Sequence, residues 1–416
     1  MRKAFVIVIL LLCATLALPD AALAAPAIWQ QLAELTPTNR AKNDWFGISI
    51  AMSDDTVVVG DFDANIEQFG TVDVFVKPAN GWSNMTQTAT LSSSDNGIGF
   101  GVSVAISGNI IVVGAANTSN FNKQQSTPGA AYVFVKPAGG WKSMTETVKL
   151  TASDGVDGDA FGNSVSISGN TIAVGAFFVN NFSGRAYVFT CNANSCSQAA
   201  ELSASDSDGI LDYLGCSVAI SGNTVVAGSY GHNNFQGATY VYVEPAGGWA
   251  NMTETAELTT YNGKGSDNLG FAVAISGGTV VAGAPGAFSY YGAAYVFVEP
   301  TTGWATTSNF TAGLGAPDAI QYESFGQAVG INANAKGIVV GAPGANVGQN
   351  LEQGALYAYV RPVAGWKTTR TAYAEATASD GASADLMATS VAISGTTAVA
   401  GAPKSSSPGA AYVFGP

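Results

Sequence analysis

Histidine is almost missing from this chain: His232 is the only one in 416 residues. A Ser-His-Asp or Cys-His mechanism therefore has one possible base, and no nucleophile motif lies near it in sequence. Metal sites built from several histidines are excluded by count. There is no HExxH, no zinc-ligand cluster in the sequence and no phosphate-cradling P-loop. Charge is scarce too, at 11% of residues, and it leans acidic, with a net charge of −13. So acidic a chain, so poor in Lys and Arg, is a poor partner for nucleic acid or an anionic membrane.

Long apolar runs are missing beyond Ala4–Leu18. That run follows Arg2 and Lys3 and precedes Pro19 and the small-x-small series Ala22-Leu23-Ala24. Residues 1–25 read as a cleaved secretory signal peptide, with no membrane insertion by the remainder. The mature chain is expected to be secreted, periplasmic or held at the cell surface. Of four cysteines, Cys13 leaves with the leader. Cys191 and Cys196 flank a short turn and are expected to form a disulfide in an oxidising compartment. Cys216 is left over as a small, half-buried side chain.

What the chain has instead is glycine, 50 residues of it, and a repeat. An opening aromatic or aliphatic residue recurs at Phe46, Phe100, Phe161, Leu214, Leu269, Phe325 and Met387. A period of about 55 residues marks a unit that cannot bury its own apolar face and must stack on neighbours. Each unit reads as four strands. Ser217–Ile220 and Thr224–Gly228 alternate around Ser221-Gly222-Asn223, a hairpin pattern. Ala238–Val243 follows a variable loop. After the turn Glu244–Trp249, a polar strand Met252–Thr259 completes the unit, as an outer edge demands. Small side chains fill the first strand, as a crowded axis requires.

Seven such units make an all-β, seven-bladed β-propeller of four-stranded antiparallel blades. Residues 26–416 form this single domain, with blades starting near 45, 99, 160, 213, 268, 324 and 386. The last unit stops after its third strand, Ala411–Phe414. Its missing outer strand is supplied by 29–36, since Trp29–Thr36 resembles Trp249–Thr259. The N-terminal strand should therefore close the ring.

Phe-Gly followed some residues later by Gly-Ala-Pro, as at Gly283-Ala284-Pro285, Gly341-Ala342-Pro343 and Gly401-Ala402-Pro403, resembles the FG-GAP repeat. That repeat builds the propeller of integrin α-subunits and occurs in exported bacterial proteins, the group this chain is closer to in style. The resemblance implies adhesion or another extracellular interaction. Integrin blades carry Asp-rich calcium loops in their first hairpins. The corresponding turns here, such as Ser168-Gly169-Asn170 and Ser276-Gly277-Gly278, lack the carboxylates a hard cation needs, so those sites do not carry over.

Strand direction puts the loops between second and third strands on one face with the connectors between blades. Two residues before each opening position stand Asp44, Asp159, Asp212, Asp267, Glu323 and Asp385, with Ile98 in the second repeat. They read either as a carboxylate ring or as side chains satisfying N–H groups in turns, and the repetition favours the turns. Asp206, Asp208 and Asp212, and separately Asp154, Asp157 and Asp159, look locally calcium-like. Calcium is otherwise not demanded, and no other cofactor is expected.

The variable loops carry Phe178 and Asn181, then Tyr230, His232 and Phe235, then Tyr290 and Tyr291. Rings beside amides suit stacking on sugars or gripping a peptide. Rings plugging gaps between blades are the structural alternative. The five Asn-x-Ser/Thr triplets, at Asn84, Asn117, Asn181, Asn251 and Asn309, matter only in a glycosylating secretory pathway. The functional expectation is a non-catalytic, monomeric recognition scaffold holding an extracellular protein or glycan on the loop-bearing face. The alternatives are a hydrolase pairing carboxylates such as Asp63, Glu67 and Glu323, and a purely structural surface protein.

Overall fold

The computed structural model describes residues 29–38, 44–63, 70–116, 127–192, 195–207, 211–405 and 409–416. The leader read at 1–25, and with it Glu67, Asn117 and Asp208, lie outside the described residues, as do the side chains of Asp44 and Asp63. Seven sheets of four or five strands succeed one another in chain order, and their neighbours pair antiparallel within each blade. Blade 4 shows the pattern. Its inner strand Ser217–Ser221 pairs with Thr224–Ser229, which pairs with Ala238–Val243, which pairs with Ala256–Leu258. The fold is the all-β, seven-bladed propeller that the repeat implies.

The ring closes where the chain ends meet. Gln30–Thr36 pairs antiparallel with Ala410–Gly415, placing Gln31 opposite Phe414 and Glu34 opposite Tyr412. The apolar core consists of seven clusters, each lying between two adjacent blades. The seven opening residues, Phe46 through Met387, are all at most 1% exposed. No blade can bury this surface alone, and that is why the units must stack. Cys191 and Cys196 are joined in a disulfide across the third blade's outer hairpin.

The inner strands approach so closely that side chains are excluded. Gly60, Gly114, Gly175, Gly228, Gly283, Gly341 and Gly401 each face a carbonyl oxygen of the next blade. A methyl group at any of them would sit 1.9–2.1 Å from that oxygen. In five blades a serine beside this contact donates to the same carbonyl: Ser49 to Gly101, Ser103 to Gly162, Ser164 to Gly215, Ser217 to Gly270 and Ser390 to Gly47, at 2.7–2.9 Å.

The outer strand departs from the sequence expectation. Met252–Thr259 was expected as one strand of blade 4, but it divides. Only Ala256–Leu258 pairs within the blade, while Met252–Thr253 runs parallel to Leu202–Ser203 of blade 3. Side chains fix this crossing. Asn251 Oδ1 accepts the Glu201 N–H at 2.9 Å, and Glu254 accepts both the N–H and hydroxyl of Ser205. Asn84 and Gln87 tie 84–87 to Glu34 and Thr38 in the same way. The outer edges of blades 1, 3, 4, 5 and 7 are covered in this way by a strap from the next blade, which removes a free pairing edge. Asn84 and Asn251 serve these straps with their amide oxygens.

Replacing Gly228 by Ala should force blades 4 and 5 apart and destabilise the protein by about 3 kcal/mol, an overpacking cost. Gly247→Ala, where nothing lies within 4 Å of the new methyl, should be nearly neutral. Thermal unfolding followed by circular dichroism compares the two.

Candidate functional site

The loops between second and third strands are less individual than their sequences suggest. In blades 3, 4 and 5 they form the same short turn, at Val179–Phe182, His232–Phe235 and Ala287–Tyr290. Each turn holds two consecutive central residues in the left-handed region: Asn180 and Asn181, Asn233 and Asn234, Phe288 and Ser289. Asn is the residue other than Gly that adopts this conformation most readily. The paired asparagines are therefore explained by backbone geometry. Blade 5 adopts the same turn without that help, at φ 55° for Phe288, 63° for Ser289 and 70° for Tyr290. Bulky residues held there carry strain, on the order of 1–2 kcal/mol each.

Most of the loop rings of blades 3 and 4 pack on each other. Phe178 meets Phe182 edge-on at 5.0 Å, and Tyr213 stacks on Tyr230 at 4.8 Å with planes 5° apart. Phe235 lies 6.3 Å from Tyr213, and Tyr230 reaches Phe271 at 5.6 Å. Phe178, Tyr230 and Phe235 are half-buried in this ladder, so the structure puts them in the gap-filling arrangement. Tyr290 and Tyr291 differ. Both are exposed, and Tyr290 stacks on the exposed Tyr322 at 5.4 Å.

The connector carboxylates hold turns. Asp159 accepts the Val156 N–H at 2.6 Å, Asp267 that of Lys264 at 2.8 Å, Glu323 that of Ile320 at 2.8 Å and Asp385 that of Ala382 at 2.7 Å. The residues on either side adopt positive φ, as in Leu211 and Tyr213 or Tyr322 and Ser324. The acidic pattern is a repeated turn device. Asp154 is bonded to the Tyr187 hydroxyl at 3.3 Å, and it does not gather with Asp157 and Asp159 around a common point. Glu323, considered in sequence as a hydrolytic acid, is 1% exposed, and its Oε1 is buried without a hydrogen-bond partner.

Two places on this face are not accounted for by the repeated turns. The first surrounds His232, on the blade-4 turn. Its Nδ1 lies 3.3 Å from Asp212 Oδ1, and Asp212 Oδ2 accepts the Ser207 hydroxyl at 2.6 Å. Its Nε2 faces Asp206 Oδ2 at 3.7 Å and Glu257 Oε1 at 3.8 Å. The Tyr240 hydroxyl donates to Asp206 Oδ1 at 2.9 Å. The bond to Asp212 raises the imidazole's pKa against the effect of burial, with further help from Asp206. Burial, then the Asp206 charge, push Glu257 up. Among the described residues this is the one group of three metal-capable side chains whose ligand atoms all lie within 4.8 Å of one another. Sequence reading had Asp206, Asp212 and His232 but missed Glu257. Its partner Tyr240 is fixed only by strand register.

The second place is an apolar cleft of about 410 Å³ beside the blade-5 turn, lined by Phe288, Tyr291, Tyr295, Phe310 and Gly313, with Arg370 at its edge. It exists because of one residue. Across the outer strand pair, Tyr187 faces Glu201, Tyr240 faces Glu257 and Tyr357 faces Glu375, but Tyr295 faces Gly313. Without a side chain there, the rings of Tyr295 and Phe310 line an opening. Phe288 stands over it, 60% exposed despite its strained backbone. Arg370 donates its Nε–H to the Ala316 carbonyl. Sequence reading reached the loop Phe288-Ser289-Tyr290-Tyr291 but not Phe310 or Arg370 as its partners, because the cleft spans two blades.

The architecture and its loop-bearing face define a β-propeller scaffold in which conserved geometry carries variable side chains. The chain belongs to the FG-GAP repeat family: a family model described as FG-GAP repeat matches residues 29–75, 85–134, 144–189, 196–242, 252–297 and 371–414. Each matched stretch begins with the outer strand of one blade and runs through three strands of the next. No curated protein matches the chain. Among the described residues no helix is long and apolar enough to cross a membrane.

Burial pushes the Glu323 carboxyl from its ordinary 4.5 up to about 7, while the Ile320 N–H acts the other way. The folded state therefore prefers the protonated acid. Its contribution is fully present below about pH 4.5 and is lost as pH rises through about 7, roughly 3 kcal/mol in all. Glu323→Gln keeps the acceptor and removes the charge. Its denaturant midpoint should vary less than wild type between pH 5 and 8 and exceed it at pH 8.

Proposed function

We propose that this protein is an exported recognition scaffold that holds a protein or glycan on its loop-bearing face without chemical turnover. The observation that carries the reading is the blade-5 cleft, where Phe288 is kept exposed by a backbone conformation that disfavours it. Local strain retained at an exposed aromatic residue points to a role other than stability. Flat rings at Tyr291 and Phe310 bury much area at little entropy cost, and the Arg370 guanidinium supplies directional donors beside them. Rings with a hydrogen-bonding group at the rim suit the apolar face and hydroxyl edge of a sugar, and a glycan fits this cleft better than an extended peptide. Membership of a repeat family found in extracellular-type domains, together with the disulfide, supports export.

A hydrolase is favoured less. Glu323, one of the three acids considered, is sequestered in a connector turn, so it presents no carboxylate to a ligand.

The test is a binding screen of residues 26–416 on glycan and matrix-protein arrays. Tyr291→Ala and Arg370→Ala should each weaken the best hit by about 2 kcal/mol, roughly 30-fold, as interface anchors do. Phe288→Asn should weaken it as well while raising thermal stability, since Asn relieves the left-handed backbone. No hit on either array, or hits untouched by all three changes, would remove this assignment.

A further inference from the structure

We propose that Asp206, His232 and Glu257 form a binding site for a divalent transition metal ion, Zn²⁺ by its donor set. The site is independent of the blade-5 cleft and stands whatever that cleft binds. Three features of the geometry argue for it. First, His232 presents Nε2 to two carboxylates without bonding either. At 3.7 Å to Asp206 and 3.8 Å to Glu257, both separations exceed a hydrogen bond. Ligands of a tetrahedral ion with bonds near 2.0–2.1 Å stand about 3.3 Å apart. A contraction of about half an ångström along these two edges, with closure of the Asp206–Glu257 edge from within 4.8 Å, would bring the three atoms onto one ion.

Second, the surrounding groups are those that orient metal ligands. Asp212 engages Nδ1, which fixes the tautomer that leaves Nε2 as the free lone pair. Asp212 is itself held by Ser207, and its side chain is 4% exposed. Tyr240 engages Asp206 Oδ1, leaving Oδ2 turned toward the imidazole. A carboxylate on the far nitrogen of a ligating histidine raises its basicity and fixes its ring. Here that partner precedes any ion and is built into the connector turn.

Third, the charges are left unbalanced. In two other blades the acid at an equivalent place meets a cation: Lys149 pairs with Asp95 in blade 2, and Arg185 with Glu201 in blade 3. In blade 4 no Lys or Arg among the described residues pairs with Asp206 or Glu257. Protonated His232 supplies one positive charge against three carboxylates, and a divalent ion supplies two. Imidazole with two carboxylates suits Zn²⁺ or its first-row neighbours. Three protein donors, one of them nitrogen, fall short of what Ca²⁺ requires. A three-ligand shell leaves the ion an open position on the loop-bearing face.

The experiment is calorimetric titration of Zn²⁺, with Ca²⁺ in parallel, into chelator-stripped protein prepared without a histidine tag. One Zn²⁺ per chain should bind, and His232→Gln and Glu257→Gln should each abolish it while circular dichroism remains native. Asp212→Asn, which removes an orienting group and no ligand, should weaken binding about 10–100-fold. Zn²⁺ should also raise the melting temperature of wild type but not of His232→Gln, a readout that does not depend on the heat of binding. Absence of Zn²⁺ uptake by native wild type would overturn the proposal and leave His232 as the cluster's counter-charge. Uptake undiminished in His232→Gln, or a preference for Ca²⁺, would overturn it equally.

Discussion

The contact between one blade's glycine and the next blade's carbonyl sets the scale of the whole molecule. At seven places a methyl group would lie within 2.1 Å of a neighbouring backbone oxygen, so the inner strands are as close as backbones allow. That spacing fixes the pitch from blade to blade, and seven equal steps return the ring to Gly47, where Ser390 donates across the closure. Small residues on the inner strands follow from it, as do the buried Phe, Leu and Met that open each unit and fill the wedge left as blades splay outward. Blades 5 and 6 lack the bridging serine and carry Ala272 and Ala328 in its place. The glycine contact persists there without the hydrogen bond, so the close approach is the more basic requirement.

A rigid centre moves all freedom to the rim. Across the third and fourth strands one position changes from blade to blade, opposite a tyrosine or its equivalent: Thr90, Lys149, Glu201, Glu257, Gly313, Glu375 and Glu34. What stands there decides what the rim can do. Lysine reaches Asp95 and neutralises it. Glutamate beside Arg185 makes an ion pair, and glutamate beside His232 makes an unbalanced cluster. Glycine leaves a cleft. One variable position on a fixed backbone therefore yields four different chemistries, which is how a repeat scaffold becomes specific without changing its fold.

Strands and ring closure were legible in sequence because both depend on periods that a single chain displays. Trp29–Thr36 matched Trp249–Thr259 by composition, and the missing last strand demanded it. The site was legible only where residues lie close in sequence. Asp206, Asp212 and His232 could be noted, but Glu257 and Gly313 acquire meaning from the residue across the strand pair. The asparagine pairs misled for a physical reason: Asn in a loop can bond a ligand or permit a left-handed turn, and composition does not separate the two. Phe288 could be noted as a loop aromatic, but its backbone angle could not be read from composition. The crossing straps of the outer strand were hidden as well, since a polar strand reads the same whether it pairs at home or with its neighbour.

Consistency across levels is what makes a sequence specify one structure, and departures from it have to be compensated elsewhere. Along much of this ring the local rules agree: Asn at the centre of the blade-3 and blade-4 turns, a carboxylate where a connector needs an acceptor, a cation beside the acids of blades 2 and 3. Blade 5 breaks the first rule by holding Phe288 and Ser289 where its two neighbours place an asparagine pair. Blade 4 breaks the third by gathering Asp206, Asp212 and Glu257 around a single imidazole. Neither departure helps the fold, because the same turn and the same strand pair are built elsewhere in the ring without them. Both occur in adjacent blades on the one face where loops and connectors meet. Strained, exposed rings in one blade and an acid cluster centred on an imidazole in the next give this face the departures from local rule that a bound ligand would compensate.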